Sequence, residues 1–87
     1  MPHRVDIKAS ALRELADLPA RDRERVDSAI LALADEPRPR GCRKMAGSGD
    51  VFRIRIGRYR VVYLVDDTDL VVVVGRIGHR REVYRRR

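Results

Sequence analysis

Residues 52–63 read Phe52-Arg53-Ile54-Arg55-Ile56-Gly57-Arg58-Tyr59-Arg60-Val61-Val62-Tyr63. Apolar and basic side chains alternate up to Gly57-Arg58, and β-branched and aromatic residues follow it, the pattern of two half-buried strands. A two-residue type II′ turn at Gly57-Arg58 closes them into an antiparallel hairpin. Ile56 then pairs with Tyr59, Arg55 with Arg60, Ile54 with Val61, Arg53 with Val62 and Phe52 with Tyr63. Directly paired residues share a face. One face collects Phe52, Ile54, Ile56, Val61, Tyr63 and Val65. The other collects Arg53, Arg55 and Arg60, with Val51, Val62 and Leu64 further along.

Downstream, Leu70 to Val74 is continuously apolar, as suits a central strand covered on both faces. Asp66-Asp67-Thr68-Asp69 supplies the turn before it, and a turn accounts for these aspartates without a metal. The expected register sets Gly75 opposite Arg60, Val73 opposite Val62 and Val71 opposite Leu64. Arg60 is thus expected on an open face, beside an indentation left by a glycine. Like charges facing one another cost stability, so three arginines gathered around a gap read as a floor for an anion. A solvated, arginine-rich outer face is the plainer reading of the same pattern.

Upstream, residues 3–8 alternate Val5 and Ile7 with polar neighbours, a short strand. Ser10 is the expected cap of a helix carrying Leu12, Leu15 and Leu18 and stopped at Pro19. A second helix is expected from near Asp22, its buried stripe formed by Val26, Ala29, Ile30, Leu33 and Ala34, and its end set by Pro37 and Pro39. Residues 38–49 read as a basic loop rich in glycine and proline. The fold class is α+β. A single domain, residues 1–87, packs an N-terminal strand and a helical hairpin on an antiparallel β-meander of about four strands, followed by a short basic tail.

Eighty-seven residues support one thin core. No apolar run approaches the ~20 residues of a membrane span, and no signal segment opens the chain, so a cytoplasmic protein without membrane contact is expected. The single cysteine, Cys42, allows no internal disulfide and no multi-cysteine zinc site. No phosphate-binding glycine loop, zinc spacing or Ser-His-Asp signature is present. Neither metal nor cofactor is expected.

Charge points to a partner. The net charge is +7, and arginine supplies eighteen of the twenty basic residues. Residues 1–37 carry six basic and eight acidic side chains, whereas residues 38–87 carry fourteen and five. Basic charge concentrated in one half of a small domain fits a polyanion, most often a nucleic acid. The tail, Gly78-His79-Arg80-Arg81-Glu82-Val83-Tyr84, is expected to bring His79, Arg80 and Tyr84 towards Arg60. Arginine grips phosphate oxygens in a fork, and tyrosine offers a stacking surface for a base.

Taken together, Lys44-Met45-Ala46-Gly47, residues 52–63 and residues 78–84 resemble the RelE branch of the RelE/ParE toxin superfamily over essentially the whole chain. The resemblance implies a toxin of a type II toxin–antitoxin system: a metal-independent endoribonuclease that cuts mRNA in the A site of the 70S ribosome and so inhibits translation. It also implies silencing by an acidic, RelB-like antitoxin. Position by position it implies catalytic roles for Arg53, Arg55, Arg60, Arg80 and Tyr84. Arg43, Lys44, Arg58 and Arg81 are the further expected RNA contacts. The best-studied relatives carry lysines where Arg53 and Arg55 stand. An arginine does not give up its proton, so neither is assigned as a general base. His79, whose ordinary pKa lies near neutrality, is the reserve proton carrier, with Lys44 behind it. A ParE-like toxin that binds gyrase without cutting RNA, or an inactive antitoxin-binding remnant, would share much of this pattern.

Overall fold

The computed structural model describes residues 2–45, 47 and 49–79. Seven elements follow in chain order: β1 (Arg4–Ile7), α1 (Ala9–Ala16), α2 (Ala20–Ala32), β2 (Arg43–Lys44), β3 (Val51–Ile56), β4 (Tyr59–Asp66) and β5 (Val71–His79). The sheet has five strands in the order β1-β5-β4-β3-β2. All neighbours are antiparallel except β1, which runs parallel to β5. The sheet is therefore mixed, and one strand larger than the expected four.

The extra strand is β2. It lies in the stretch expected to be wholly loop, and is short enough that no periodicity marks it. Arg43 pairs with Arg53 and Lys44 with Phe52. The helices also begin earlier than expected. The Lys8 amide donates to the Val74 carbonyl at 2.9 Å, so the chain passes straight from the sheet into α1, and Ser10 caps nothing. Pro19 stands immediately before α2, its carbonyl accepting from Arg23 N, which starts the helix at Ala20 and leaves Asp22 in the first turn. An acidic group there complements the positive end of the helix dipole. Helix α2 ends at Ala32, so Leu33 and Ala34 follow it in a turn.

The β3–β4 hairpin has the expected register, from Ile56 opposite Tyr59 to Val51 opposite Leu64. Gly57 carries the positive φ of +59° that the first position of a type II′ turn requires. The next hairpin differs. Asp66 pairs with Val71, Val73 faces Leu64, and a bulge between Val62 and Tyr63 on the β4 ladder leaves Gly75 without a direct partner. Gly78, rather than Gly75, stands opposite Arg60.

That bulge reverses the alternation along β5. Without it Ile77 would fall on the face of Val73; with it Ile77 pairs with Val61 and enters the core. Val26, Ile30 and Leu33 from the α2 region and Ala11 and Leu15 from α1 pack against Phe52, Ile54, Val61, Tyr63, Val65, Val72, Val74 and Ile77. Burying each large aliphatic side chain is worth roughly 1.5–3 kcal/mol. The helices thus cover one face of the sheet, and the arginines are left to the other.

Candidate nucleic-acid interface

Cross-strand pairing builds the site in two rows. Arg43 of β2 faces Arg53 of β3, and Arg55 of β3 faces Arg60 of β4. Since side chains alternate along a strand, all four fall on the face away from the helices. With Gly41 they line a cavity of about 300 Å³. Gly41 adopts a φ of +92° and has open space where a Cβ would stand, so the wall there is bare backbone.

Arg60 departs from expectation in one respect. It is only 3% exposed, the one charged residue among the buried side chains of the described chain. Its guanidinium keeps its charge at any accessible pH, so a permanent cation is held out of water at the base of the cavity. Arg55, across the ladder, is exposed, and Arg53 is half-buried. An anion entering this cavity meets guanidinium donors from three strands.

The loop that carries Gly41 is pinned from three sides. The Tyr63 hydroxyl donates to the Pro37 carbonyl at 2.8 Å. The Arg38 guanidinium donates to Asp67 Oδ2 at 2.8 Å and stacks 5.2 Å above the centre of the Phe52 ring. Asp67 also meets His3 Nε2 at 3.1 Å. Arg38 and His3 hold the Asp67 carboxyl below the ordinary aspartate range, while burial pushes the Tyr63 hydroxyl well above the ordinary phenol range. The sequence does not announce this brace: Phe52 and Tyr63 belong to the hairpin, but His3, Pro37-Arg38 and Asp67 lie far from one another in the chain and in no shared pattern.

The remaining described candidates lie elsewhere. Lys44, opposite Phe52, is exposed towards the helix side. Arg58 is exposed in the β3–β4 turn. His79 pairs with Tyr59 at the end of β5, and the two rings meet edge to face with centres 6.0 Å apart. The Tyr59 hydroxyl donates to Asp22 of α2, which places this pair on the helix side, behind the arginine floor. Glu14, Asp17 and Arg76 line a separate cavity with them. His79 is not gathered with Arg53, Arg55 and Arg60. Arg80, Arg81 and Tyr84 lie outside the described residues.

The profile of the family described as ParE toxin of type II toxin-antitoxin system, parDE, matches residues 5–84. Toxin RelG of Mycobacterium tuberculosis is 38% identical over 90 residues, covering 99% of this chain and 100% of the relative. The putative toxin RelE1 of Methanocaldococcus jannaschii is 31% identical and covered to 98% on both sides. This chain belongs to the RelE/ParE toxin superfamily. Among solved structures, the archaeal RelE–RelB complex of Pyrococcus horikoshii superposes with a TM-score of 0.82 at 33% identity, covering 92% of this chain and 97% of that one. A free E. coli toxin RelE carrying two arginine-to-alanine substitutions gives 0.80 at 31% identity, with 97% and 92% covered. As a member of this superfamily the protein is the toxin of a type II toxin–antitoxin system.

The sheet of this RelE/ParE toxin leaves a second feature beside the arginine cavity. Val51, Val62, Leu64 and Val73 line an apolar depression of about 280 Å³, and Leu64 remains 40% exposed. It occupies the strip expected at the far end of the arginine face. Among the described residues no helix is long and apolar enough to cross a membrane.

Proposed function

We propose that this toxin is a metal-independent endoribonuclease that cuts mRNA, in the A site of the 70S ribosome, by transesterification. The observation that carries the reading is the cavity in which Arg43, Arg53, Arg55 and a buried Arg60 converge. Water takes the proton of the RNA 2′-hydroxyl as the 2′-oxygen attacks the adjacent phosphorus; the bond to the 5′-oxygen breaks and that oxygen picks up a proton from water, giving a 2′,3′-cyclic phosphate and a 5′-hydroxyl. The phosphorane carries more negative charge than the phosphodiester. Guanidiniums fixed in place before the reaction therefore bind the transition state more tightly than the substrate. Arg60, from below, and Arg53 and Arg55, from β3, take this role, and Arg43 holds the phosphate at the rim. Arg80 at the leaving oxygen and Tyr84 against a base are assigned by resemblance. The arginines donate hydrogen bonds and charge but take no proton, and His79, turned to the helix side, receives no proton-transfer role.

A cavity walled by four guanidiniums disfavours a divalent cation, which supports a mechanism in which the protein supplies the countercharge. The test is cleavage of a programmed ribosome's mRNA with and without chelator. Unchanged cleavage and 5′-hydroxyl ends are expected; 5′-phosphate ends, or loss in EDTA restored by magnesium, would overturn the mechanism.

The partner that silences the toxin is proposed to be an acidic antitoxin of the RelB type, seated on the apolar strip and neutralising the basic half. A second reading has one observation in its favour: the matching family profile is named for ParE. A gyrase-binding toxin would produce DNA damage and filamentation on expression, with transcripts left uncut. Silence in both assays would leave an antitoxin-binding remnant.

A further inference from the structure

Arg55 walls two cavities. One is the arginine cavity; the other, of about 210 Å³, lies between the end of α2 and the edge of β3. The second has an apolar floor of Ala32, Leu33, Ile54 and Ile56, and its rim carries Glu36 and Arg40. Strand β2 pairs with β3 only as far as Arg53, so the edge of β3 at Ile54 to Ile56 is left uncovered by any strand, and the cavity opens there. Arg40 is bonded in sequence to Gly41, which lines the first cavity, so the two are joined through the loop as well as through Arg55.

The rim groups are uncommitted. Asp67 and Glu14 are engaged by neighbouring groups, but among the described residues neither the Glu36 carboxylate nor the Arg40 guanidinium has a side-chain partner. An apolar floor with one acceptor and one donor at its edge, next to an anion cavity, matches the two ends of a nucleotide. The phosphate takes the arginines, and the base takes the floor. A second guanidinium-lined cavity would suit another phosphate; this one, with a carboxylate on its rim, does not.

Resting on the nuclease reading for the neighbouring phosphate, we propose that the α2–β3 cavity is a nucleobase subsite, which holds a base flanking the scissile phosphate and reads its edge through Glu36. A carboxylate accepts from an exocyclic amine, so adenine, cytosine and guanine are favoured there over uracil, whose single N3–H lies between two carbonyls that repel the carboxylate. Arg40 lies over the base or reaches its acceptor edge. Specificity then comes from the helix side of the sheet edge, while transition-state stabilisation comes from the opposite face.

Two measurements test this. In the first, 5′-hydroxyl ends produced by the full-length toxin are sequenced across many transcripts, for the parent and for Glu36→Gln and Glu36→Ala. The parent is expected to discriminate against uracil at one fixed position beside the cut by about tenfold. The substitutions should flatten that one column, with the profile at the other positions staying as in the parent. An unchanged profile with cleavage intact would overturn the subsite. The second needs no cleavage: binding of an oligoribonucleotide blocked by 2′-deoxy substitution at the cut is compared with that of its abasic counterpart. Ala32→Trp, at an exposed position lining the cavity, should weaken the intact oligonucleotide about tenfold and leave the abasic one unaffected. Equal effects on both would sink the proposal even if RNA binding itself is confirmed, whereas failure of the parent to cut any transcript counts against the nuclease reading alone.

Discussion

Gly78 stands directly opposite Arg60 across the β4–β5 ladder. This pairing exists because the bulge at Gly75 advances β5 by one residue, and it has two consequences. Ile77 turns into the core beneath the helices, and the residue beside Arg60 has no side chain. On its other flank Arg60 faces Arg55. A buried cation therefore has a glycine on one side and a second guanidinium on the other.

The arginine rows depend on the turn that sets their register. Gly57 holds a φ of +59°, and an added Cβ would approach only the flexible tip of Arg25, at 3.2 Å. The cost of Gly57→Ala is therefore conformational, roughly 1–2 kcal/mol. Gly57→Asn, which tolerates this region, should cost less. Urea unfolding of the three proteins should rank them parent, Asn, Ala. Equal stability of Ala and parent would show that the turn had relaxed to another type.

Asp67 gives the fold a pH dependence. Its carboxyl is held below the ordinary value by the Arg38 hydrogen bond first and by His3 second. A carboxyl with a depressed folded-state pKa stabilises the fold above the unfolded pKa, and that contribution is lost as pH falls through the folded value. Asp67→Asn should therefore lower the melting temperature at neutral pH, and the difference from the parent should shrink as the pH falls past the ordinary aspartate value of about 4 and vanish only below the depressed folded value. A difference that persists in acid would assign the effect to packing rather than charge.

The β3–β4 register was legible because a two-residue turn leaves it no freedom, and with it came Arg53, Arg55 and Arg60. The register of β5 was not. A glycine within a strand signals that a bulge is available, but only packing decides whether Ile77 or its neighbours enter the core. Gly41 and Arg43 reach the cavity through a strand of two residues, too short for any period to show. The burial of Arg60 depends on what surrounds it in three dimensions, and alternation can assign a face but not an exposure. A tail that left the sheet beside Gly75 would bring His79 to the arginines. In the structure β5 continues to His79 and pairs it with Tyr59.

The apolar strip of Val51, Val62, Leu64 and Val73 supplies a prediction about the partner. An acidic antitoxin seated there removes Leu64 from water and slows opening of β4 and β5. Hydrogen exchange of the toxin, alone and in complex, should show added protection in residues 59–79. An intact complex that protects only α1 and α2 would place the antitoxin on the helical side instead.

Arg60 carries the decisive substitution. Because it is 3% exposed, Arg60→Ala would open a cavity as well as remove a charge, and a loss of activity could then reflect a disturbed β4. Arg60→Lys keeps the charge and most of the aliphatic stem, but replaces a two-pronged donor by a single point. Arg60→Gln keeps much of the stem and removes the charge, and it also relieves the repulsion with Arg55. Both should remain folded by circular dichroism and keep antitoxin binding. Cleavage should fall by about 10²-fold or more for glutamine, the scale on which a lost donor to a developing anion is measured, with lysine recovering part of it. The loss should appear in kcat rather than KM, since the phosphorane gains more from the guanidinium than the ground-state phosphate does. A folded Arg60→Gln toxin that cuts as fast as the parent would make the arginine cavity a feature of the fold, and the chemistry would have to be sought elsewhere on the molecule.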